Sequence, residues 1–489
     1  MKLVSSESYN NLEPGITLPT PGVLNDPLYE MDRAIKQFLQ GRYLLIGMTI
    51  LQLLWLTAIL LTGTSSNINL IVGLGFYSFC MGVITLFLPG SFFSKLSIFM
   101  VWLRQNQIRF LLILSLAVIL GGILYAGVQR VSGDEERSFR VANLISARGV
   151  EGAYQESGWL NKKHPPFIPL LYSLTLDLSG ASLFHLRLVS VLFLVATSVA
   201  TYYLGRELYG RKTGYLASLL FMTFPLVVRL GTSAMMDIQL TLFFTLALLA
   251  SIYLTRAPSY KLAILTGLII GIGLLTKYIM VLVFGVLVMC IVFLPAFRRQ
   301  KSYFLLVFVV SISLFSGWLA YANHIGILTG QIEKIKQLSG VYYLFETQDK
   351  DSQSVASAPG PEETVNSAST MKSGIFRLGL ETLFTRLPSS FGVYYLPYVV
   401  FGAIFLLKRR EQSDVLLLFW VGVVFGVLFL TLPDHRYFLP AFPGIAIMIS
   451  QVFKRFSENT ERAILLSFLF LGANLYLFAN WVREAHLFL

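Results

Sequence analysis

Five short stretches of this chain hold residue types able to do chemistry. The first is Gly133-Asp134-Glu135-Glu136, three carboxylates behind a glycine that permits a tight turn. The second is Lys162-Lys163-His164-Pro165-Pro166, an imidazole beside two prolines that fix the local backbone. The third is Met236-Asp237-Ile238-Gln239, where a carboxylate sits among apolar neighbours that make an uncompensated charge expensive. The fourth is Leu274-Leu275-Thr276-Lys277-Tyr278, and the fifth is Pro433-Asp434-His435-Arg436-Tyr437. A carboxylate can take the proton of an attacking hydroxyl. Lysine or arginine can stabilise charge that grows on a departing phosphate, and an imidazole can ligate a metal or touch a substrate. Each stretch also has a plainer use. The acids can be a solvated charge cluster at a membrane surface, and Asp237 can serve a helix start through capping and the macrodipole. Lys277 can be a snorkelling anchor, and His435-Arg436 a turn at a span end.

The elements that must position these residues are membrane helices. The chain has 489 residues, 55% hydrophobic and only 13% charged, about half the ~25% charged residues of soluble domains. Mean hydropathy is +0.69. The apolar residues fall into blocks of the length that crosses a hydrocarbon layer about 30 Å thick. The expected fold is therefore an all-α polytopic membrane protein with about 13 transmembrane helices. The spans are read near 43–62, 68–88, 109–128, 185–204, 214–230, 238–255, 262–276, 278–296, 303–321, 389–407, 413–431, 437–453 and 461–481. Residues 262–296 are read as two short helices around Lys277, because Arg256 and Lys261 precede the stretch and Arg298, Arg299 and Lys301 follow it. Short basic loops stay on one side of the membrane, so the number of crossings between them is even. Residues 1–40 contain no apolar run followed by a small-residue cleavage site, so the first span is expected to do the targeting.

With the N-terminus cytoplasmic, the short basic loops collect inside and two long segments, 129–184 and 323–388, lie outside. The first outer loop has enough apolar residues for short interfacial helices. The second opens with an amphipathic stretch, Gln331 to Phe345, and runs through 348–374, a composition suited to a flexible segment. Residues 1–42 are read as a cytoplasmic segment, 43–108 as two helices plus a cytoplasmic interfacial helix near 91–107, and 109–481 as the core. All five chemical stretches then fall on the outer face. The excess of 38 basic over 26 acidic residues is a matter of membrane sidedness, and nucleic acid is not an expected partner. The two cysteines, Cys80 and Cys290, lie in apolar spans, which leaves neither a disulfide framework nor a Cys-rich metal site.

The ordered set Asp134-Glu135, His164-Pro165-Pro166, Gly205-Arg206-Glu207-Leu208-Tyr209-Gly210, Met236-Asp237, Leu274-Leu275-Thr276-Lys277 and Arg436-Tyr437-Phe438-Leu439-Pro440 resembles the GT-C membrane glycosyltransferases, in particular the protein O-mannosyltransferase and aminoarabinose transferase group. The resemblance implies a GT-C-type core with interfacial helices in the first outer loop. It implies transfer of a sugar, hexosyl or pentosyl, from a polyprenyl-phosphate donor to a lipid, glycan or protein acceptor, with inversion. A bacterial inner membrane with the site on its outer face is the expected setting. Asp134, Glu135 and Asp237 take the catalytic positions, Asp134 as base or as the group that orients the acceptor hydroxyl. Lys163, His164, Lys277, His435 and Arg436 take substrate-binding positions, Lys277 near the donor phosphate. Aminoarabinose transferases carry a zinc-holding acid where Lys163 stands, so a zinc site of that kind is not expected here. Some more distant relatives hold a divalent metal ion with outer-face carboxylates, for which Asp134 and Asp237 are the candidates. The two N-terminal helices are additional to the usual core. The competing classes are a secondary transporter or lipid flippase, which would place polar groups at the bilayer midplane and commonly shows repeats, and a non-catalytic membrane scaffold.

Overall fold

The computed structural model describes residues 106–128, 131–338, 390–392, 395–431 and 434–456, with the single positions 382 and 386. The expected spans at 43–62, 68–88 and 461–481, most of the interfacial stretch near 91–107, and the segment 348–374 lie outside the described residues. Every element described is helical, and no strand occurs among them.

Helix α1 (Gln107–Val128) leads into the segment expected to be the first outer loop, which is folded into three helices, α2 (Gly133–Glu156), α3 (Gly158–Lys163) and α4 (Phe167–Ser179). Ser132 starts α2 with a capping box: its hydroxyl accepts from the Glu135 amide, and the Glu135 carboxylate accepts from the Ser132 amide. Gly149, at φ 71°, kinks α2 where a side chain would be strained. Long helix α5 (Leu183–Tyr209) follows, then α6 (Arg211–Thr223) and α7 (Pro225–Gly231). The expected single span 214–230 is thus two helices bent by 70°. Phe224 is extended and Pro225 starts the second helix, so the α6 hydrogen-bond ladder cannot run on.

Helices α8 (Asp237–Arg256) and α9 (Tyr260–Thr276) form an antiparallel hairpin, capped at the start of α9 by Ser259. A short 3-10 turn, Tyr278–Val281, separates α9 from α10 (Leu282–Phe293), so the helix breaks at Lys277, the expected boundary between 262–276 and 278–296. Then come α11 (Pro295–Arg299), α12 (Lys301–His324) and α13 (Leu328–Leu338). After the undescribed stretch stand α14 (Leu396–Arg409), α15 (Gln412–Thr431), a 3-10 turn His435–Ala441 and α16 (Phe442–Phe456). Among the described residues, five helical segments are long and apolar enough to cross a membrane, or six if the bent α6–α7 pair is one span. The protein is a multi-pass membrane protein.

Burial sorts these helices. Most of α8 is buried on all sides, its polar residues Gln239, Thr241, Thr245 and Ser251 included, as befits the centre of a bundle. Helices α9, α10 and α12 instead expose Ile264, Leu265, Val288, Val292, Leu305, Val309 and Ile312, a surface suited to lipid. The tightest crossing lies between α5 and α6, where Gly205 faces Gly214. A Cβ on Gly205 would stand 2.8 Å from the Gly214 Cα, and one on Gly214 would run into the Tyr202 carbonyl. Helices α2 to α4 are packed onto the bundle. Ala142, Ile168, Tyr172 and Leu176 from α2 and α4 share a core with Leu186, Ala234 and Met236. Val141, Ile145, Tyr154 and Leu160 share another with Trp318, Ala322, Ile325 and Ile327. The loop is thereby held as a fixed wall over one end of α5, α8 and α9.

Candidate active site

The α8–α9 hairpin explains the first half of the site. Asp237 opens α8 and Lys277 follows the end of α9, so an outward and a return helix put them at one end of the bundle. The Lys277 Nζ lies 2.6 Å from Asp237 Oδ1 and 4.7 Å from the centre of the Tyr437 ring. Both side chains are largely buried, at 12% and 3% exposure. The second half comes from α2 and the 3-10 turn before α16. Asp134, in the first turn of α2, accepts from Arg137 at 3.2 Å through Oδ1 and from Arg436 through Oδ2. Arg436 also lies 2.9 Å from Asp434 Oδ2.

These groups line one open cavity. Asp134, Arg137 and Ser138 of α2 face Asp237, Lys277 and Arg436. His164 and Trp159 form a side, their rings tilted by 36° with centres 4.0 Å apart, and the Tyr154 hydroxyl donates to the His164 carbonyl at 3.0 Å. Met235, Met236, Tyr278, Ile279, Lys334 and Tyr437 complete the lining. Burial pushes the Asp134 carboxyl up, but the hydrogen bond and charge of Arg436, helped by Arg137 and Lys277, outweigh it and hold the group below the usual carboxylate value. Asp434 is likewise raised by burial yet brought down to about 2 by His435 and Arg436.

Of the expected site residues, Asp134, His164, Asp237, Lys277 and Arg436 meet at the cavity. Glu135 and His435 do not reach it in the way expected. Glu135 is fully buried behind the cavity, not in it: its Oε1 accepts from Arg187 Nε at 2.9 Å and from the Ala234 amide at 2.9 Å, and its Oε2 from Arg187 Nη2 at 3.1 Å and from the Ser132 amide at 3.1 Å. With four donors on two oxygens it is a structural clamp with no face for a substrate. His435 turns to Asp434, its Nδ1 3.1 Å from Oδ1, and is not among the lining residues. Lys163 closes α3, and its side chain lies outside the described atoms.

Several cavity residues carry no mark in the five stretches. Trp159 and Arg137 are one helix turn from stretches already singled out, and Lys334 follows Gln331 by three residues on the amphipathic α13. Gln331 is buried and donates to the Leu160 carbonyl at 3.1 Å while accepting from the Tyr278 hydroxyl, which brings the same face of α13 to the cavity. Arg187 had a visible signal: a lone guanidinium inside an apolar span.

The carboxylates do not make a metal centre as they stand. Among the described residues no three of His, Cys, Asp or Glu converge. Asp134 is held by two guanidinium groups and Asp237 by an ammonium, cations in the places a divalent ion would need. The donor set does not fit such an ion.

The family model for dolichyl-phosphate-mannose-protein mannosyltransferase matches residues 163–321. The undecaprenyl phosphate-alpha-4-amino-4-deoxy-L-arabinose arabinosyl transferase of Yersinia pestis (strain Pestoides F) is 32% identical over 128 residues, 25% of this chain and 22% of that protein. Its counterpart, transferase 2 of Proteus mirabilis (strain HI4320), is 28% identical over 129 residues, 25% of this chain and 23% of that one. The chain thus matches less than a quarter of the length of these curated relatives. Among solved structures, ArnT from Cupriavidus metallidurans bound to undecaprenyl phosphate superposes with a TM-score of 0.51 at 16% identity, over 71% of this chain and 61% of ArnT. The Archaeoglobus fulgidus oligosaccharyltransferase in complex with Zn and sulfate gives 0.51 at 14% identity, over 75% and 53%. The likeness to these solved structures is one of fold, and the sequence likeness is confined to part of the chain, residues 163–321 for the family model.

Proposed function

We propose that this chain transfers a sugar from a polyprenyl-phosphate-linked donor to an acceptor hydroxyl or amine on the outer face of a bacterial plasma membrane, with inversion at the anomeric carbon. The observation that carries this reading is the pairing, in one cavity at the end of the bundle, of an ionised carboxylate with amine and guanidinium groups. Asp134 accepts a hydrogen bond from the acceptor and orients it. As the acceptor oxygen or nitrogen bonds to the anomeric carbon, the bond from that carbon to the phosphate oxygen breaks. The acceptor's proton passes to the Asp134 carboxylate, and the bonding pair stays on the phosphate. A carboxylate held below its usual pKa is a weak base for early abstraction, so the proton moves late, once the acceptor atom has become acidic. Lys277 and Arg436 stabilise the charge that collects on the leaving phosphate. One displacement on one face of the sugar inverts it.

The relatives support the donor class, being named for undecaprenyl phosphate-linked aminoarabinose. The place of the cavity supports a transferase over a transporter: its charged groups stand at helix ends, beside a wall of packed loop helices, and not in broken helices at mid-bundle. The test uses membranes from a null strain complemented with wild type, Asp134→Asn or Asp237→Asn at equal protein levels. Each is offered a panel of polyprenyl-phosphate sugars. Loss of donor consumption in Asp134→Asn by 10²-fold or more, about the contribution of a positioned proton acceptor, supports the reading and identifies the sugar. Consumption equal to wild type in both variants, or none by wild type, overturns it.

A further inference from the structure

Asp237 stands at the start of α8, and that start has no capping side chain of its own: the N-cap is Met236. The irregular segment before it, Thr232 to Met236, has local bonds from Thr232 and Ser233 back to α7 and from the Met235 amide to the Ser233 carbonyl, and neighbours hold it as well. Two buried side chains from the loop helices α2 and α4 do so at consecutive residues. Glu135 of α2 accepts the Ala234 amide at 2.9 Å, and the Tyr172 hydroxyl of α4 donates to the Met235 carbonyl at 3.1 Å. Both side chains are fully buried. A buried phenol hydroxyl is costly unless its hydrogen bonds are met, and phenylalanine would fill the same space without that cost.

The Tyr172 hydroxyl has its hydrogen bonds met, while Gln239 Oε1 beside it is buried without one. Gln239 Nε2 donates to the Tyr172 oxygen at 3.0 Å and to Ser190 Oγ at 3.1 Å, and the Ser190 and Tyr172 oxygens are 3.1 Å apart. With the amide supplying both its protons, Ser190 donates to Tyr172, and the phenol proton is left for Met235. Both anchors are backed by one face of α5. Arg187 holds Glu135, and Ser190, three residues on, holds Tyr172.

We propose that Tyr172, together with Glu135, is a positioning residue that fixes the peptide segment in front of Asp237 and so sets where the Asp237–Lys277 pair stands relative to Asp134. Glu135 follows Asp134 directly, so one helix turn carries both a cavity carboxylate and the clamp on the segment that bears the other. Tyr172 touches neither cavity nor substrate and acts through Met235. The functional consequence rests on the transferase reading; the hold on Asp237 does not.

The experiment uses the full chain, purified in detergent, as wild type, Tyr172→Phe, Ser190→Ala, Glu135→Gln and Asp237→Asn. Two readouts are taken. The first is kcat and KM for the polyprenyl-phosphate sugar that wild type consumes. The second is the rate at which a small acylating reagent modifies Lys277, measured by peptide mass spectrometry against Lys261 at the far end of α9. Tyr172→Phe is expected to lower kcat by about 10- to 100-fold, the cost of ångström-scale misplacement, with KM within about twofold. Lys277 modification in Tyr172→Phe should rise to between the wild-type rate and that of Asp237→Asn, because a carboxylate that drifts away frees the amine. Ser190→Ala should move both readouts in the same direction, and if Glu135→Gln fails to fold the other variants decide. A Tyr172→Phe protein with wild-type Lys277 reactivity overturns the proposal, whatever its kcat. One with raised reactivity and unchanged kcat overturns its role in transfer. A wild type that consumes no donor refutes the transferase reading, and the labelling still decides whether Tyr172 holds Asp237.

Discussion

Asp237 and Lys277 are forty residues apart in the chain, and their side chains meet at 2.6 Å. Nothing between them is tuned to that contact except length. Helix α8 has 20 residues and α9 has 17, so each runs about 25–30 Å at 1.5 Å per residue, and the hairpin returns the chain to the level it left. The break after Thr276 then frees Lys277 from helical geometry, and its ammonium swings over Tyr437 onto the buried carboxylate.

Removing one partner of this pair should cost more than removing both. Lys277→Met leaves Asp237, 3% exposed, as an uncompensated buried charge, a loss of about 3–5 kcal/mol. The melting temperature in detergent should fall accordingly. Asp237→Asn combined with Lys277→Met should regain most of that stability and no donor turnover. A double variant as unstable as Lys277→Met would show that the pair's charge is not what the fold depends on.

Arg436 sets the acid side of the pH profile. Asp134 and Asp434 both lie below the ordinary aspartate value of 3.8 in the folded protein. Carboxyls with depressed folded values add stability that is complete above the unfolded value and is lost as pH falls through the folded one. Arg436→Gln should therefore destabilise the protein at pH 7. The gap from wild type should close between about pH 4 and pH 2, a window bounded by the unfolded value and by the Asp434 value of about 2. Melting curves across that range check it, and a gap that widens with acid would contradict the pairing.

Chelation should leave turnover unchanged. Asp134 and Asp237 already face guanidinium and ammonium partners, and a divalent ion would have to displace them. Donor consumption in excess EDTA should stay within about twofold of the untreated rate. A loss restored by added zinc, magnesium or manganese would place a metal at this site after all.

The five chemical stretches were legible because ionisable residues are rare in this chain and each one beside an apolar block stands out. The break at Lys277 was legible from Thr276 and Lys277 interrupting the apolar stretch 262–296, with the basic residues on both its flanks favouring two helices over one. The bend inside 214–230 was written as Phe224-Pro225, but the apolar run over it reads as one span. The division of labour between Asp134 and Glu135 was not legible. Neighbours on a helix point about 100° apart, and which of the two faces the cavity depends on where Arg187, fifty-two residues away, is packed. Lys334 belongs to the same kind of information: its place follows from Gln331 reaching Leu160, a contact across 171 residues.

The crossing of α5 and α6 should tolerate no added methyl group. Gly205 and Gly214 pack backbone to backbone, and a Cβ on Gly214 would meet the Tyr202 carbonyl and lie 2.8 Å from the Arg206 amide nitrogen. Those atoms belong to the α5 backbone and cannot step aside as a side chain would. Gly214→Ala should cost about 1–3 kcal/mol, the usual cost of overpacking. Gly121→Ala, where a Cβ meets nothing within 4 Å, should leave the melting temperature unchanged in the same measurement.

The Glu135–Arg187 pair should respond differently from Asp237–Lys277. Arg187→Met strands a fully buried carboxylate and should cost about 3–5 kcal/mol, as Lys277→Met does. Here the double variant Glu135→Leu with Arg187→Met should not recover. Glu135 also accepts the Ala234 and Ser132 amides, and Arg187 Nη1 donates to the Ala126 carbonyl at 2.6 Å. Three backbone groups would lose their partners, each worth about 1–3 kcal/mol when left unsatisfied in the interior. The Asp237–Lys277 pair carries no such backbone load on its carboxylate beyond Lys277 itself. Melting temperatures of the two double variants, measured side by side, separate a clamp that ties the backbone together from an ion pair kept for the cavity. Equal recovery in both would remove Glu135 from the role of clamp.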